Sequence, residues 1–137
     1  MIHTTYTLRV RYAETDPMKY VYYGKYATYF EVARVELFRH LGMSYDEIEK
    51  SGIWLPVSEY KIKYLKPALY DQILTIHTYI RKLPSGVRIE FDYEIFNEQQ
   101  EKITEASTTL FFLDAKSNRV VTCPEPLLKL IEQNWEA

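Results

Sequence analysis

The chain has 137 residues, of which 47% are hydrophobic and 26% charged, with a formal net charge of −2. That size and balance suit one folded domain with one core, expected to span residues 1–137. The near-neutral charge offers no basic surface for nucleic acid or an anionic membrane. Cys123, the single cysteine, allows neither an internal disulfide nor a cysteine-based zinc site. The run MIHTTYTLRV lacks the long apolar stretch of a signal peptide, and no segment reaches the length of a membrane span, so a cytoplasmic protein is expected.

In chain order, Thr4 to Arg11 alternates Tyr6, Leu8 and Val10 with polar residues, the pattern of a half-buried strand. Glu14-Thr15-Asp16-Pro17 follows. Proline fixes its own backbone and disfavours helix at Asp16, so this segment reads as an extended or turning loop. From Gly24 the period becomes helical: Tyr26, Phe30, Ala33, Leu37 and Leu41 recur three or four apart, and Gly42 is a natural stop. The resulting rod is roughly 27 Å long. Ser44 and Glu47 have the spacing of a capping box for a short helix ending near Lys50.

The period then changes to two. Val57 to Leu65 places Tyr60, Ile62 and Tyr64 on one face and Glu59, Lys61 and Lys63 on the other. Pro67 closes this strand, and Ile73 to Leu83 forms the next, with Pro84-Ser85-Gly86 as a hairpin signal. Val87 to Phe96 alternates without a break. Asn97 to Lys102 is a polar turn, Ile103 to Leu113 a further strand, and Val120-Val121 a brief apolar segment. Pro124 and Pro126 open a last helix carrying Leu127, Leu128, Leu130 and Ile131. Short connections favour antiparallel neighbours. An α+β fold is expected, in which an antiparallel sheet of about five strands wraps a long central helix.

Several chemistries lack their residues. There is no HExxH, Walker loop, GxGxxG or GxSxG pattern, and His3, His40 and His77 are scattered without metal-ligand spacing. His77 reads as a structural strand residue. Asp16 remains, a carboxylate in a constrained loop shortly before a helix start. The first N–H groups of a helix have no internal acceptor and carry the positive end of its dipole. An N–H near Tyr23 or Gly24 can therefore polarise a carbonyl, as an oxyanion hole does, while Asp16 attacks that carbonyl or activates a water against it. The alternative is that Asp16 only caps a turn, as Asp-Pro often does.

The run Tyr12-x-Glu14-Thr15-Asp16-Pro17-Met18, followed by Val21-Tyr22-Tyr23-x-x-Tyr26 and Tyr29-Phe30-Glu31-x-Ala33-Arg34, resembles the signature of the 4-hydroxybenzoyl-CoA thioesterase family. It is most similar to the bacterial branch of short acyl-CoA thioesterases associated with the Tol–Pal cluster. A second stretch agrees, Lys63-Tyr64-Leu65-Lys66-Pro67-Ala68-Leu69-Tyr70-Asp71 with Leu74-x-Ile76. The resemblance covers nearly the whole chain and implies the hotdog fold, a long helix wrapped by an antiparallel sheet.

It further implies hydrolysis of a short-chain or aromatic acyl-CoA to free acid and CoA. No metal or redox cofactor is implied, since coenzyme A is part of the substrate. The family's catalytic aspartate falls on Asp16 and its carbonyl-polarising backbone amide on Tyr23. Tyr20 and Val21 are expected to bind substrate. Surface cations usually hold the CoA phosphates in hotdog thioesterases, and Lys82 and Arg88 are the candidates here, with Lys61 and Lys63 beside them. Lys19 departs from the pattern: many relatives have glycine there, and lysine both restricts the backbone and adds a charge three residues from the carboxylate. Glu31 and Arg34 are spaced to pair along the helix, with an interface role as the other reading of Arg34. A homodimer or homotetramer is expected, with acyl carrier protein as a further candidate partner. The rival function is a non-catalytic hotdog domain that binds acyl-CoA or a protein.

Overall fold

The computed structural model describes residues 1–136, and their alternating apolar pattern becomes an antiparallel sheet. Its strands are β1 (Ile2–Arg9), β2 (Ile53–Trp54), β3 (Val57–Tyr64), β4 (Ile73–Ile80), β5 (Arg88–Phe96), β6 (Lys102–Asp114) and β7 (Arg119–Val121). The five longer strands lie in the order β1-β4-β5-β6-β3, and the short β2 and β7 pair with the far end of β6. The expectation of about five strands therefore holds for the long ones. Two-residue β2 is too short for any period to show.

Helix α1 (Tyr26–Leu41) lies on the concave face of this sheet, flanked by α2 (Tyr45–Lys50) and α3 (Glu125–Gln133). Its buried stripe is Tyr26, Tyr29, Phe30, Ala33, Arg34, Leu37, Phe38 and Leu41. Phe30 packs on Tyr93 with ring centres 4.4 Å apart, and Phe38 meets Phe91 edge-on at 5.7 Å. Burying each such ring contributes roughly 1.5–3 kcal/mol. Gly42 ends the helix at φ +102°, a left-handed cap, with its N–H donating to Phe38 and Arg39 carbonyls. Ser44 Oγ accepts the Glu47 N–H at 3.2 Å, the cap that its spacing predicts for α2. This is the hotdog arrangement, a long helix wrapped by a curled antiparallel sheet.

Several boundaries differ from the expected ones, most at β1 and β4. β1 begins at Ile2, whose side chain is buried, and ends at Arg9, because the Val10 N–H turns to the Gln72 carbonyl. β4 stops at Ile80 instead of Leu83: Gly86 and Val87 offer their carbonyls to Cys123 and Phe112, drawing the connection away from a tight hairpin. Edge strand β3 keeps the predicted facing, with Tyr60, Ile62 and Tyr64 opposite Thr108, Ala106 and Thr104. Yet Tyr60 and Tyr64 are 39% and 45% exposed, since α1 covers this edge only in part, with Phe30 against Tyr60 and Tyr26 against Tyr64. Among the described residues, no helix is long and apolar enough to cross a membrane.

Candidate active site

The loop between β1 and α1 is built around two carboxylates. Glu14 is its anchor. Glu14 Oε1 accepts the Arg11 N–H at 2.9 Å and the Tyr29 hydroxyl at 3.0 Å, tying the loop to the buried side of α1. The Glu14 carbonyl also accepts the Tyr22 N–H at 2.9 Å. Burial opposes the Glu14 charge, but the Arg11 N–H, the Tyr29 hydroxyl and the Arg11 guanidinium outweigh it and hold the carboxyl below its usual range.

Asp16 sits at the mouth of a tight turn. Its Oδ1 accepts the N–H groups of Met18 at 2.9 Å and Tyr20 at 3.3 Å, while its own N–H donates to the Tyr20 carbonyl. Among the described residues Oδ2 has no hydrogen-bond donor, which leaves one oxygen for chemistry. The turn-capping reading is thus true of Oδ1 and silent about Oδ2. Closing the turn needs Lys19 at φ +65°, a left-handed conformation that glycine adopts at little cost. The steric demand of this turn therefore fits the glycine expected at this position.

Backbone pairing brings the two recognisable stretches of sequence together. Val21 donates to the Ala68 carbonyl at 2.8 Å, Tyr70 donates to the Lys19 carbonyl at 2.9 Å, and Tyr20 bridges Leu69. Between them opens a cleft of about 320 Å³ lined by Asp16, Tyr20, Val21, Tyr23, Tyr64 and Lys66 among others. Tyr23 begins the 3₁₀ turn Tyr23–Lys25 that runs into α1. As the first residue of that helical run its N–H has no helical acceptor, and none other is found among the described residues. The residue that carries the open carboxylate oxygen and the residue that starts the helical run thus line one cleft. Such a pair can direct a nucleophile at a carbonyl and stabilise the oxyanion that forms.

The other predicted residues lie elsewhere. Arg88 pairs with Phe111 on β6 whereas Tyr64 pairs with Thr104, seven residues along the strand, so about 24 Å separates these ends of the sheet. Lys82 lies near Arg88's end, 4.0 Å from Glu90, and the Arg88 guanidinium stacks 5.3 Å from the Phe111 ring. Within one subunit neither joins Asp16. Lys61 and Lys63 project from the outer face of β3, and Lys61 pairs with Glu59 at 2.9 Å. Arg34 does not pair with Glu31, which stays exposed. It turns under the helix, where its Nη1 donates to the Tyr93 hydroxyl at 3.0 Å, which lies 2.7 Å from Thr108 Oγ1. Burial pushes the Tyr93 phenol up to about 12, so it remains a neutral partner for the guanidinium.

Sequence reasoning does not assign five of the lining residues to the site: Tyr26, Tyr64, Leu65, Lys66 and Pro67. Tyr64 and Lys66 reach it only because β3 ends beside the start of α1, a tertiary fact that leaves no mark on local spacing. The Lys66 ammonium pairs with Glu101 at the rim. The histidines also prove less scattered than their numbering suggests. Antiparallel pairing of β1 with β4 sets His3 Nε2 and His77 Nδ1 2.8 Å apart on the outer face, where burial and then His77 lower the His3 pKa. No cluster of three or more potential metal ligands occurs among the described residues. Burial raises the Cys123 thiol to about 12, which removes it as a thiolate nucleophile at neutral pH.

Comparison with known proteins bears on the family and the fold. Residues 10–131 match the Thioesterase-like superfamily. The chain is 36% identical over 110 residues to YneP of Bacillus subtilis, covering 80% of this chain and 79% of that protein. It is 26% identical over 126 residues to the acyl-CoA thioester hydrolase YbgC of Escherichia coli O157:H7, covering 92% and 93%. Among solved structures, a DHNA-CoA thioesterase from Staphylococcus aureus superposes with a TM-score of 0.91 at 34% identity, covering 97% of this chain and 91% of that one.

Proposed function

The chain belongs to the thioesterase-like superfamily and is a thioester hydrolase, and on that premise we propose that it cleaves a short-chain or aromatic acyl-CoA with Asp16 and the Tyr23 N–H. The observation that carries this reading is the shared cleft, lined both by Asp16, whose Oδ2 accepts no hydrogen bond among the described residues, and by Tyr23, whose N–H has no acceptor there. Asp16 Oδ2 takes a proton from a water whose oxygen bonds to the thioester carbon, or forms that bond itself. The carbonyl electron pair moves onto oxygen, facing the Tyr23 N–H, where a single donor is typically worth about 10²–10³ in rate. When the pair returns, the carbon–sulfur bond breaks. On the water route CoA leaves as the thiol with the proton that Asp16 took up. On the direct route it leaves as the thiolate, and a water then cleaves the mixed anhydride on Asp16 to release the acid and a proton. Either route draws on a carboxylate and a backbone amide and calls on no cofactor.

The cleft volume of about 320 Å³ lies at the small end of ligand pockets, which suits a short or aromatic acyl group. Tyr20 and Val21 on its wall are the proposed acyl contacts. The likeness to a DHNA-CoA thioesterase supports an aromatic acyl group, and the likeness to YbgC, an acyl-CoA thioester hydrolase, supports CoA as the carrier. The free cysteine is in keeping with a cytoplasmic setting. We also propose a homodimer or homotetramer joined along β3, whose outer edge is unpaired among the described residues. Antiparallel joining of two β3 edges would bring the partner's Arg88 end of the sheet toward this chain's Asp16 end, giving Lys82 and Arg88 a route to the CoA phosphates.

The test is release of free CoA thiol across a panel of aliphatic and aromatic acyl-CoAs, with the same acyl groups on acyl carrier protein in parallel. Turnover concentrated in short or aromatic acyl-CoAs is expected. Binding without hydrolysis of any of them would overturn the catalytic reading, and turnover confined to the carrier-protein thioesters would overturn CoA as the donor.

A further inference from the structure

The hydroxyl of Tyr64, at the end of edge strand β3, donates to the Tyr23 carbonyl at 3.0 Å. The two residues are 41 positions apart in the chain, and the bond spans the cleft wall from sheet to helix start. Resting on the proposed role of Tyr23, we infer that Tyr64 is a positioning residue for thioester hydrolysis, locking the first peptide of the helical run so that its N-terminal amides hold one aim.

Three observations carry this. First, Tyr23 lies in a single short 3₁₀ turn, preceded by Tyr22 in extended geometry at φ −59° and ψ 132°. Such a turn has few bonds of its own to define it, and first turns readily fray. Second, the bonded carbonyl shares its peptide plane with the Gly24 N–H. Holding that oxygen fixes the peptide that follows Tyr23, and with it the orientation of the residue whose own N–H is the proposed donor; any polarisation falls on the neighbouring Gly24 N–H. Third, the Tyr64 ring is itself held, edge-on against the buried Tyr26 ring with centres 5.1 Å apart. Tyr26 belongs to the core, so the Tyr64 hydroxyl is presented from a fixed base. Burial, and then the nearby Tyr23, raise the Tyr64 phenol, so it stays protonated and keeps donating across neutral and mildly alkaline pH. A Cβ at Gly24 would lie 2.9 Å from the exposed Tyr22 ring, which would have to swing aside.

The inference separates a hydroxyl from a ring. Tyr64→Phe keeps the packing on Tyr26 and removes only the bond to Tyr23, whereas Tyr64→Leu removes both. Tyr64 is 45% exposed, so neither change opens a core cavity. With the whole chain and an acyl-CoA that the parent hydrolyses, Tyr64→Phe should lower kcat about three- to tenfold, the rate equivalent of one neutral hydrogen bond, with KM within about twofold because acyl contacts are unchanged. Tyr64→Leu should lower kcat at least as far. A Phe variant with parental kcat beside a slowed Leu variant would show that only ring packing matters and would overturn the inference. So would a Phe variant whose loss lies wholly in KM. Asp16→Asn is measured alongside: its inactivity with a fully active Phe variant overturns the role of Tyr64 alone, whereas activity in Asp16→Asn overturns the proposed mechanism on which that role rests.

Discussion

The Lys19 ammonium lies 5.8 Å from the centre of the Tyr12 ring and 5.9 Å from that of the Tyr70 ring. Those two rings meet edge-on at 5.6 Å and are themselves exposed. The charge that stands three residues from Asp16 is thus held by aromatic faces, while Asp16 Oδ1 is occupied by the Met18 and Tyr20 amides. Lysine pays for its left-handed φ of +65° with roughly 1 kcal/mol or more, and the aromatic contacts return roughly 0.5–1 kcal/mol at an exposed site.

Lys19→Gly removes the strain together with the contacts, so its stability should stay within about 1 kcal/mol of the parent. Lys19→Ala removes the contacts but keeps the strain and should be the less stable of the two. Because the ammonium faces tyrosines and not the carboxylate, rate–pH profiles of parent and Lys19→Gly from pH 4 to 8 should superimpose at one salt concentration. An acidic limb displaced in either direction would show that Lys19 and Asp16 are coupled after all.

Asp16→Asn tests the carboxylate directly. Asparagine keeps an oxygen where Oδ1 stands, so the Met18 and Tyr20 amides retain their acceptor and the turn should persist. What disappears is a basic or nucleophilic Oδ2. Turnover should fall by a factor of about 10² to 10⁴ or more, with thermal stability and ligand affinity close to the parent. Hydrolysis near the parental rate would reduce Asp16 to a turn residue.

How much of this could be read in advance depends on whether the cause is local. Alternation in Val87–Phe96 and the three-four spacing of Phe30, Ala33 and Leu37 report burial period, which a linear sequence carries in full, and so the layout was legible. The facing of Tyr60 and Tyr64 was legible too, but not their exposure, because period tells which side a residue takes and not whether a helix covers it. Asp16 stood out through Pro17, and the start of the helix through the change of period at Gly24. Tyr64 and Lys66 did not stand out, since strand pairing alone brings them to the cleft. The same blindness to position along a strand placed Lys82 and Arg88 in a site whose far end of the sheet they occupy within one subunit. At Lys19 the sign of φ was decided by the closing of a turn, which no residue there announces.

The β3 edge predicts assembly. Eight residues of strand carry Val57, Tyr60 and Tyr64 at 39–48% exposure with hydrogen bonds on one side alone among the described residues. Such an edge invites a second strand, and a second copy of β3 offers matching aromatic rows. Light scattering at micromolar concentration should give a dimer or a tetramer. A monomeric mass under those conditions would remove both the assembly and the delivery of Lys82 and Arg88 to a neighbouring Asp16.

Glu14 predicts a pH signature. Its carboxyl is held below the ordinary range, so the ionised form is favoured by folding. A depressed carboxylate contributes stability that is fully present above its unfolded pKa, near 4.5, and is lost as pH falls through the lower folded value. The Tyr29 phenol that donates to it is pushed up by burial and by the Glu14 charge, so this donor persists throughout the acidic range. Glu14→Gln keeps an acceptor oxygen but no charge, and at pH 7 it should cost about 1–2 kcal/mol, the scale of a charge-assisted hydrogen bond made neutral. The gap in Tm between parent and variant should therefore be widest at pH 6–7 and close progressively below about pH 5, as the parent's own Glu14 takes up its proton. Other depressed carboxylates, Glu94 and Asp114 among them, are common to both proteins and cancel in the difference. A gap that stays constant from pH 7 to pH 3 would mean that the shape of Glu14, and not its charge, fastens the Asp16 loop to α1.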